Sequence, residues 1–430
     1  MSVQVDSSTA ADLVQHLEAQ RLAAYRLIEN HNALLASLMG LGAPRADRVA
    51  APPSLIASPP LATAAPDMSP IPPPVRKKGN VVSLFDYKPV VATPYSVFNE
   101  NDPAALQQWG DIIAALLATY GADDALAINR KQMADTIFLS SGRNGIFYHK
   151  SHSGVLFAVC YVGADAHYAD TLRELQTYAD ANDLQINLMA QDVRVNDLKA
   201  CGFSTTPLGI WQRIEPLSEF TLEGQAMRRL RYMVSKYAKS GACKTVEYTP
   251  GTVPDTDAAI CAVIDQWVEL KGKTPPFVID VKAQILRGGI SPDHRFFLTY
   301  RDHAIDNVMV FSRDNLNNGY LMDLEFYAKD LPLGSTEFAL NEIITCFRNE
   351  GRKLVSLGLT MGTELFEHEN CSKDVFVFFE QLKKANFLNG DANAQYKNKY
   401  RPVTATMHLA RPQGCGKKKL NDLMLLLGSG

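Results

Sequence analysis

The alternation of apolar and polar positions over residues 317–361 predicts a compact strand–helix–strand unit. Period-two alternation is typical of a half-buried strand, and an apolar stripe repeating every three or four residues is typical of a helix. Gly351 follows the helical pattern, as expected of a residue that ends a helix. The predicted elements are a strand (320–326), a turn rich in Pro and Gly (329–334), an amphipathic helix (335–349) and a second strand (353–360).

Two acidic residues interrupt the first of these strands. Alternation predicts that Asp323 and Glu325 share a face with Leu321, opposite a face formed by the remaining apolar residues. A carboxylate on a buried strand is costly unless it faces a cleft or has a partner. These residues are therefore either part of a functional cleft or solvated residues at a sheet edge. The opposite face is predicted to carry Tyr320, Met322, Leu324 and Phe326.

The same order of elements occurs twice along the chain, which predicts two copies of one α/β unit. This prediction depends on element order alone, because the two copies share negligible sequence identity. The first copy contains predicted strands at 136–140, 145–150 and 155–162, a helix at 168–181, a strand at 185–190 and a strand at 208–214. The second contains predicted strands at 294–300, 306–312 and 319–326, the helix at 335–349, and strands at 353–360 and 400–410.

The first eighty residues differ from the rest in composition. Residues 8–41 carry an apolar helical stripe with no neighbouring element to cover it, which predicts oligomerisation, docking to a partner or packing against the body. Ten of the 23 prolines lie in residues 44–74, which favours an extended linker. The predicted parts are an N-terminal amphipathic helix (1–43), a disordered Pro/Ala-rich linker (44–80), a first α/β domain (81–219), a second domain with a leading basic helix (220–413) and a basic tail (414–430).

Charge and cysteine content restrict the classes of function. The net charge of −3 shows no global affinity for nucleic acid, so any such site must be a local patch. Seven cysteines without a CxxC pair favour reduced thiols and argue against a zinc site. No apolar run approaches the roughly 20 residues of a membrane span, and no signal-peptide pattern is present. We therefore expect a soluble, cytoplasmic protein with no bound metal.

A local basic patch lies between the two copies. The predicted helix at 220–241 carries five positive charges within twelve residues, which either attract phosphate groups or form a solvated face. No GxGxxG, Walker, GxSxG or HExxH motif is present, so no nucleotide, hydrolase or zinc-protease chemistry is indicated. The five charged residues are Arg228, Arg229, Arg231, Lys236 and Lys239.

Four stretches together resemble one known family. They are FTLEGQAMRRLRYMVSKYAKSG, NGYLMDLEFYAKDLPLGSTEFAL, KLVSLGLTM and YKNKYRPVTATMHLA. In order and spacing they are similar to the C-terminal domain of phosphatidylglycerol lysyltransferases, and the resemblance extends over roughly residues 125–410. The first copy contributes NGIFYHKSHSGVLFAVCYVG and CGFSTTPLGIWQRIEPLSEF.

The resemblance implies tandem acetyltransferase-like (GNAT) domains, each a mixed sheet flanked by helices. It also implies transfer of an amino acid from an aminoacyl-tRNA, the co-substrate, without a further cofactor. The acceptor would be the hydroxyl or amine of a soluble small molecule, for example in natural-product biosynthesis, or of a lipid. The membrane-embedded half that such lysyltransferases usually carry does not occur in this sequence, which favours the soluble acceptor.

The family motifs assign roles to particular residues. The Asp-Leu of its strand motif is matched by Asp323 and Leu324, whereas Glu325 and Phe326 replace Met and Arg. By this resemblance Asp323 is the principal catalytic candidate, either to take the acceptor's proton or to bind the amino group of the transferred residue, and Glu325 is a lesser one. A late Lys-x-Lys-Phe motif is matched by residues 397–400, so Lys397 and Lys399 are expected near the terminal phosphate or the developing oxyanion. Leu230 and Arg231 match a Leu-Arg motif, and the five basic residues of the helix are expected to bind tRNA.

Two other classes of function remain open. An acyl-CoA-dependent N-acetyltransferase would share the fold, but it needs a glycine-rich turn whose amides bind the pyrophosphate. The corresponding turn at 330–335 contains one glycine, and its proline donates no amide hydrogen. The remaining alternative is a non-catalytic pair of domains that binds a larger assembly through the N-terminal helix.

Overall fold

The computed structural model describes residues 95–414 except 123, 129, 153, 273–274, 364, 366–371 and 385–389. The predicted N-terminal helix and linker and the tail beyond residue 414 lie outside the described residues, so those predictions stay predictions. The described residues all belong to one compact unit, Tyr87–Gly430.

Within the described residues the first copy contains six strands and four helices. The predicted elements occur in the predicted order, and β1 and α2 are additional. Single 3₁₀ turns precede α3, α4 and the basic helix. The elements are β1 (Ser96–Asn99), α1 (Pro103–Tyr120), α2 (Arg130–Met133), β2 (Thr136–Leu139), β3 (Gly145–His152), β4 (Val155–Gly163), α3 (Tyr168–Ala181), β5 (Gln185–Gln191), α4 (Val195–Ala200) and β6 (Phe203–Ile214).

The second copy repeats this arrangement after the basic helix. Two helices, α6 and α7, precede its central strands and were not predicted. The elements are α5 (Arg228–Ala238), β7 (Cys243–Tyr248), α6 (Pro254–Lys271), α7 (Pro276–Arg287), β8 (His294–Arg301), β9 (Ala304–Asp314), β10 (Gly319–Tyr327), α8 (Ser335–Asn349), β11 (Leu354–Met361), α9 (Lys373–Lys384), α10 (Gly390–Asn398) and β12 (Val403–Pro412).

All twelve strands form one sheet, and the two copies exchange their last strands. The order is β1-β2-β3-β4-β5-β12-β6-β11-β10-β9-β8-β7. Strand β12 lies antiparallel to β5 of the first copy, and β6 lies antiparallel to β11 of the second. Each half of the sheet therefore contains five strands of one copy and the last strand of the other. The predicted domain boundary at 219–220 stays a prediction, because the strands of both copies belong to one continuous sheet.

The parallel pair β10–β11 opens partway along its length. Pairing runs from Gly319 with Leu354 to Leu321 with Ser356, and no pair follows. At the same point β10 slips against β9 between Met322 and Leu324, so that Asp323 is the extra residue of a β-bulge. We call this opening the seam.

The first copy has a similar short parallel pairing and β-bulge, but a different side chain lies at the bulge. Strand β4 pairs with β5 in parallel over four residues, from Val155 to Ala158. Its register against β3 shifts between Tyr148 and His149, which leaves Val159 as the extra residue. A valine cannot exchange a proton, so the acidic side chain at the bulge is specific to the second copy.

The bulge corrects the predicted faces of β10. Tyr320 stacks on Phe347 of α8 with ring centroids 4.3 Å apart, whereas Leu324 and Phe326 belong to the cluster formed with α6 and α7. The prediction that the four apolar residues of this strand share one face is therefore wrong. The prediction that Asp323 and Glu325 share the opposite face is also wrong. An extra residue reverses the alternation, which places Glu325 on the face that Tyr320 occupies before the bulge.

The basic helix is shorter than predicted, since it begins at Arg228 rather than near residue 220. Gly224 adopts a φ of 82°, which no α-helix accommodates. The guanidinium of Arg231 donates to the carbonyl oxygens of Leu222 and Gly224, and so holds the preceding residues as a loop.

Candidate functional site

A segment of the first copy crosses onto the second copy beside the seam. The backbone N–H of Asn315 donates to the carbonyl of Gly121 over 2.7 Å, and its side-chain amide donates to that of Leu117 over 3.0 Å. Nε2 of His294 lies 2.8 Å from the carbonyl oxygen of Leu126. The second copy's site is therefore bordered on one side by residues 121–122 and 124–128 of the first copy.

A buried ion pair fixes the other end of this segment. The guanidinium of Arg130 binds both carboxylate oxygens of Glu100, at 2.8 and 2.9 Å. Its Nε donates to the carbonyl of Ala125 over 2.9 Å. Bidentate pairs of this kind restrict orientation as well as distance. The segment is thus held at both ends.

Asp323 lies between this segment and β9. Its Oδ2 accepts the hydroxyl proton of Ser312 over 2.5 Å and the backbone N–H of Ile128 over 2.6 Å. The residue keeps partial exposure, but surrounding protein displaces most of its water and raises its pKa. The two donors and the nearby His294 act in the opposite direction, because each favours the ionised form. This carboxyl group is oriented and has altered proton affinity, as expected of a group that exchanges protons.

The segment brings a second carboxyl group, Asp124, to the same place. Burial raises its pKa to about 7, and the negative charge of Asp323 adds to this effect. Arg213 of β6 opposes it, whereas Asp314 contributes further in the same direction. Sequence reasoning missed Asp124 because it lies almost two hundred positions from Asp323 and belongs to no motif. Its only signal would have been its proximity after folding.

We expect the Asp124→Asn variant to be more stable than the wild type at pH 8, by about 1–2 kcal/mol. An unfolded Asp loses its proton near pH 3.8, whereas the folded protein holds it until about pH 7. Between these values the unfolded state binds fewer protons, so the wild type loses stability as the pH rises, and the loss is complete above pH 7. Thermal unfolding at pH 4 and pH 8 measures the effect.

The control for this experiment is Asp111→Asn, which changes an exposed carboxylate on α1. Its stability relative to the wild type should be the same at both pH values. If Asp124→Asn also shows the same difference at pH 4 and pH 8, the proton affinity of Asp124 is not altered by folding.

On the other face of the seam, Lys397 binds the end of β11. Its ammonium group donates to the carbonyls of Gly358 and Leu359, at 3.2 and 3.3 Å, and to the hydroxyl of Thr360 over 3.0 Å. Lys397 is 4% exposed, and this burial lowers its pKa to about 7 against the opposing effect of Glu325. Half of these side chains would be neutral near physiological pH, which an exposed lysine would not be.

Glu325 belongs to the same group of charges as Lys397. Burial raises its pKa to about 7, Glu337 adds to this effect, and three lysines at 271, 397 and 399 oppose it. Lys399 forms an ion pair of 2.6 Å with Glu337 of α8. The two lysines predicted to accompany Asp323 are therefore neighbours of Glu325. The seam has a carboxylate pair on one side and a mixed cluster of acids and lysines on the other.

A cavity of about 420 Å³ opens next to this mixed cluster. It lies between the start of α5 and the residues of α10, so it brings together Arg229 and Lys399 of the predicted set. All five basic residues of the predicted helix are exposed, and the structure places Arg228, Lys236 and Lys239 outside the cavity lining. The lining residues are Ala226, Arg229, Ala392, Gln395, Tyr396, Asn398, Lys399 and Arg401.

Within the described part of the chain, no group of His, Cys, Asp and Glu side chains is arranged to hold a metal ion. None of the helices described is both long enough and apolar enough to cross a bilayer.

The duplicated, exchanged sheet with its opened parallel strands has the tandem acetyltransferase-like (GNAT-like) fold. The family model for the C-terminal part of phosphatidylglycerol lysyltransferase matches residues 114–411, and the chain belongs to that family. This confirms both the fold class and the resemblance seen in the sequence. No curated protein matches the chain.

Two solved structures share this fold. One is the C-terminal domain of a protein described as a lysylphosphatidylglycerol synthetase from Agrobacterium fabrum, with 17% identity and a TM-score of 0.58, covering 75% of this chain and 98% of the other. The second is L-PGS from Bacillus licheniformis, with 16% identity and a TM-score of 0.58, covering 77% of this chain and 97% of the other.

Proposed function

We propose that the protein transfers an aminoacyl group from an aminoacyl-tRNA to the hydroxyl or amine of an acceptor, either a soluble small molecule or a lipid. The observation that carries this proposal is the position of Asp323. It stands at a β-bulge where β10 and β11 separate, and two donors from different parts of the chain orient it. Family membership supports transfer of this kind.

An aminoacyl ester is already activated, so the main task of the protein is to position the reactants. The acceptor oxygen or nitrogen forms a bond to the ester carbonyl carbon, and the bond from that carbon to the ribose oxygen breaks. Asp323 takes the proton that the acceptor loses, and the proton then passes to the departing ribose oxygen. The raised pKa of Asp323 favours this role because the carboxylate must bind a proton transiently.

The lysines lie on the other side of the seam from Asp323, and in this proposal their positive charge acts through the opening on the carbonyl oxygen that becomes negative in the transition state. The ammonium groups of Lys397 and Lys399 are held by β11 and by Glu337, respectively, so neither has to reorganise during the reaction. Preorganised charges of this kind stabilise an oxyanion more than freely moving ones do. Glu325 favours the charged form of Lys397 rather than accepting the acceptor's proton.

The exposed side of α5 suits an RNA backbone. Arg228, Arg229 and Lys236 project from a helix whose buried side packs on the second copy through Leu230 and Met233. In a chain of net charge −3, such a local concentration of cations is a specific feature. Phosphate contacts of this type weaken steeply as salt concentration rises.

The geometry of α8 argues against the acetyl-CoA alternative. An acetyltransferase would bind pyrophosphate at the N-terminus of this helix. Here Gly334 adopts a φ of 94°, and a Cβ built on it would lie 2.1 Å from the carbonyl oxygen of Met233. The hydroxyl of Ser335 accepts the side-chain amide of Asn307 over 2.5 Å. The carbonyl of Met233 in α5 therefore lies close against the turn whose amides would have to bind the pyrophosphate.

The alternative of a non-catalytic pair of domains that binds a larger assembly leaves the buried charged groups unexplained. Asp323, Asp124 and Lys397 are held where water is largely displaced, and this burial costs stability. A function for the three groups explains why the protein carries them despite that cost. A domain that only binds other proteins through its N-terminal helix needs none of these groups.

The experiment that tests the function supplies the full chain with labelled aminoacyl-tRNAs and, separately, with labelled acetyl-CoA, in the presence of a small-molecule and lipid extract. We expect label to leave one or a few tRNAs and to appear in an acceptor, with acetyl-CoA unchanged. Consumption of acetyl-CoA would support the acetyltransferase, and turnover of neither would support the binding module.

A matched pair of variants tests the RNA contact in the same assay. Reversing Arg228 and Lys236 to Glu should raise the concentration of tRNA needed, with a weaker salt dependence. Reversing Lys131, an exposed residue of the first copy, should change neither.

A further inference from the structure

We propose that the cavity between α5 and α10 binds the last nucleotide of the aminoacyl-tRNA together with its 5′-phosphate. This is the nucleotide whose ribose carries the amino acid. This inference rests on the proposed function and assigns a place to one part of its substrate. The cavity volume of about 420 Å³ lies within the usual range for small-ligand sites.

The cavity has the charge that a phosphate requires. Three cationic side chains line it: Arg229 from α5, and Lys399 and Arg401 from the end of α10 and the turn that follows. Lys399 already binds Glu337, whereas within the described part of the chain neither guanidinium forms an ion pair with a carboxylate. Guanidinium groups bind phosphate oxygens through two parallel hydrogen bonds. The cavity thus retains two positive charges for a ligand.

The backbone at Arg401 is held in an unfavourable conformation at the cavity rim. Its φ is 53°, a region that residues with a Cβ rarely occupy. The turn that imposes this angle is closed by Tyr400 N–H to the Lys397 carbonyl over 3.0 Å and by Arg401 N–H to the Asn398 carbonyl over 3.2 Å. Glycine would adopt the same angle without strain. An arginine kept in place of glycine is explained if its side chain binds something there.

The uncharged lining suits a base and ribose better than a lipid. Tyr396 contributes an aromatic wall, and Gln395 and Asn398 contribute amides that can donate to and accept from a base edge. The Asn398 amide is oriented, because its Oδ1 accepts from Gln212 over 2.8 Å. Acyl chains need an apolar wall, and the aliphatic side chains of this lining are only those of Ala226 and Ala392.

Lys399 connects the cavity with the chemistry at the seam. Its ammonium group lies 5.0 Å from the centre of the Tyr396 ring and binds Glu337, which in turn influences Glu325. A nucleotide in the cavity would therefore present its ribose, and the ester on that ribose, towards the group of acids and lysines.

The test is the binding of adenosine 5′-monophosphate to the full chain, measured by calorimetry at low salt. We expect binding of this nucleotide, weaker binding of ribose 5-phosphate and inorganic phosphate, and the weakest binding of adenosine. The Arg401→Gly variant should lose at least about tenfold in affinity for the nucleotide. Its melting temperature should be unchanged or higher, because glycine relieves the backbone at this position.

The chain offers a matched control in Arg143→Gly. Arg143 is also exposed and has the same φ of 53°, but it lies in the turn between β2 and β3 with its guanidinium over Trp109. This variant loses the same charge and the same backbone strain and should bind the nucleotide as the wild type does. Arg401→Asn provides a second variant that tolerates positive φ.

Absence of nucleotide binding, or equal binding by wild type and Arg401→Gly, would overturn the assignment. So would displacement of the nucleotide by phosphatidylglycerol vesicles but not by a CCA trinucleotide, since a lipid headgroup would then be the occupant. These results are separable from the proposed function. Aminoacyl transfer without nucleotide binding removes this cavity assignment alone, and nucleotide binding without transfer removes the proposed reaction alone.

Discussion

We expect replacement of Asp323 by Asn to lower the rate of the proposed aminoacyl transfer at least about tenfold and to leave the fold intact. The amide has nearly the shape of the carboxylate, and its oxygen can still accept from Ser312 and Ile128. It cannot take up the proton that the acceptor loses, so the effect falls on the chemical step. Single-turnover transfer from a charged tRNA, with the acceptor in excess, measures the effect on that step.

Asp330→Asn is the control for this substitution. It removes one carboxylate from the exposed turn that follows the same strand and should transfer at the wild-type rate. Ser312→Ala keeps the Asp323 carboxylate but removes one donor that orients it, so its loss should be smaller than that of Asp323→Asn. Wild-type rates for Asp323→Asn would remove Asp323 from the mechanism.

We expect replacement of Lys397 by Met to lower the proposed transfer by about a hundredfold, because a preorganised positive charge near the developing oxyanion is lost. The loss also leaves two carbonyls and a hydroxyl without the donor that Lys397 provides, so we expect a stability decrease of about 1–3 kcal/mol. Rates must therefore be measured at a temperature well below the transition of the variant.

The pH profile separates the chemical role of Lys397 from its structural role. A folded pKa of about 7 means that the ammonium form predominates below pH 7 and is lost above it. Activity that depends on this ammonium should decline as the pH rises through 7 in the wild type. The variant should lack that decline. Lys383→Met, a change in a partly exposed lysine on α9, should retain both the rate and the profile. An unchanged decline in the Lys397 variant would contradict the oxyanion role.

The sequence predicted the parts of the site that depend on local patterns. Alternation and the family motif both indicated Asp323, and element order indicated a duplicated α/β unit, which the fold confirms. The position of Glu325 was predicted wrongly because a β-bulge depends on the register with β9, which no pattern within β10 reveals. The start of α5 was wrong for a related reason, since the Arg231 contacts that shape the loop become visible only after folding.

Long-range contacts account for what the sequence did not predict. Asp124 reaches Asp323 because Gly121 and Leu126 bind residues of the second copy. Arg401 became a candidate only through its φ angle and the cavity beside it. Neither residue belongs to a periodic pattern or a motif with fixed spacing, so its role is set by tertiary geometry.

Because the two copies exchange their last strands, each half of the sheet depends on a strand that belongs to the other copy. A change in β12 alters the half built from the first copy, and a change in β6 alters the half with the acidic seam. The first copy carries Val159 at its own bulge, where the second carries an acid, yet it supplies the strand and residues 124–128 that its neighbour uses. A copy joined in this way stays necessary for the fold of its neighbour even when it carries no acidic side chain at its own bulge.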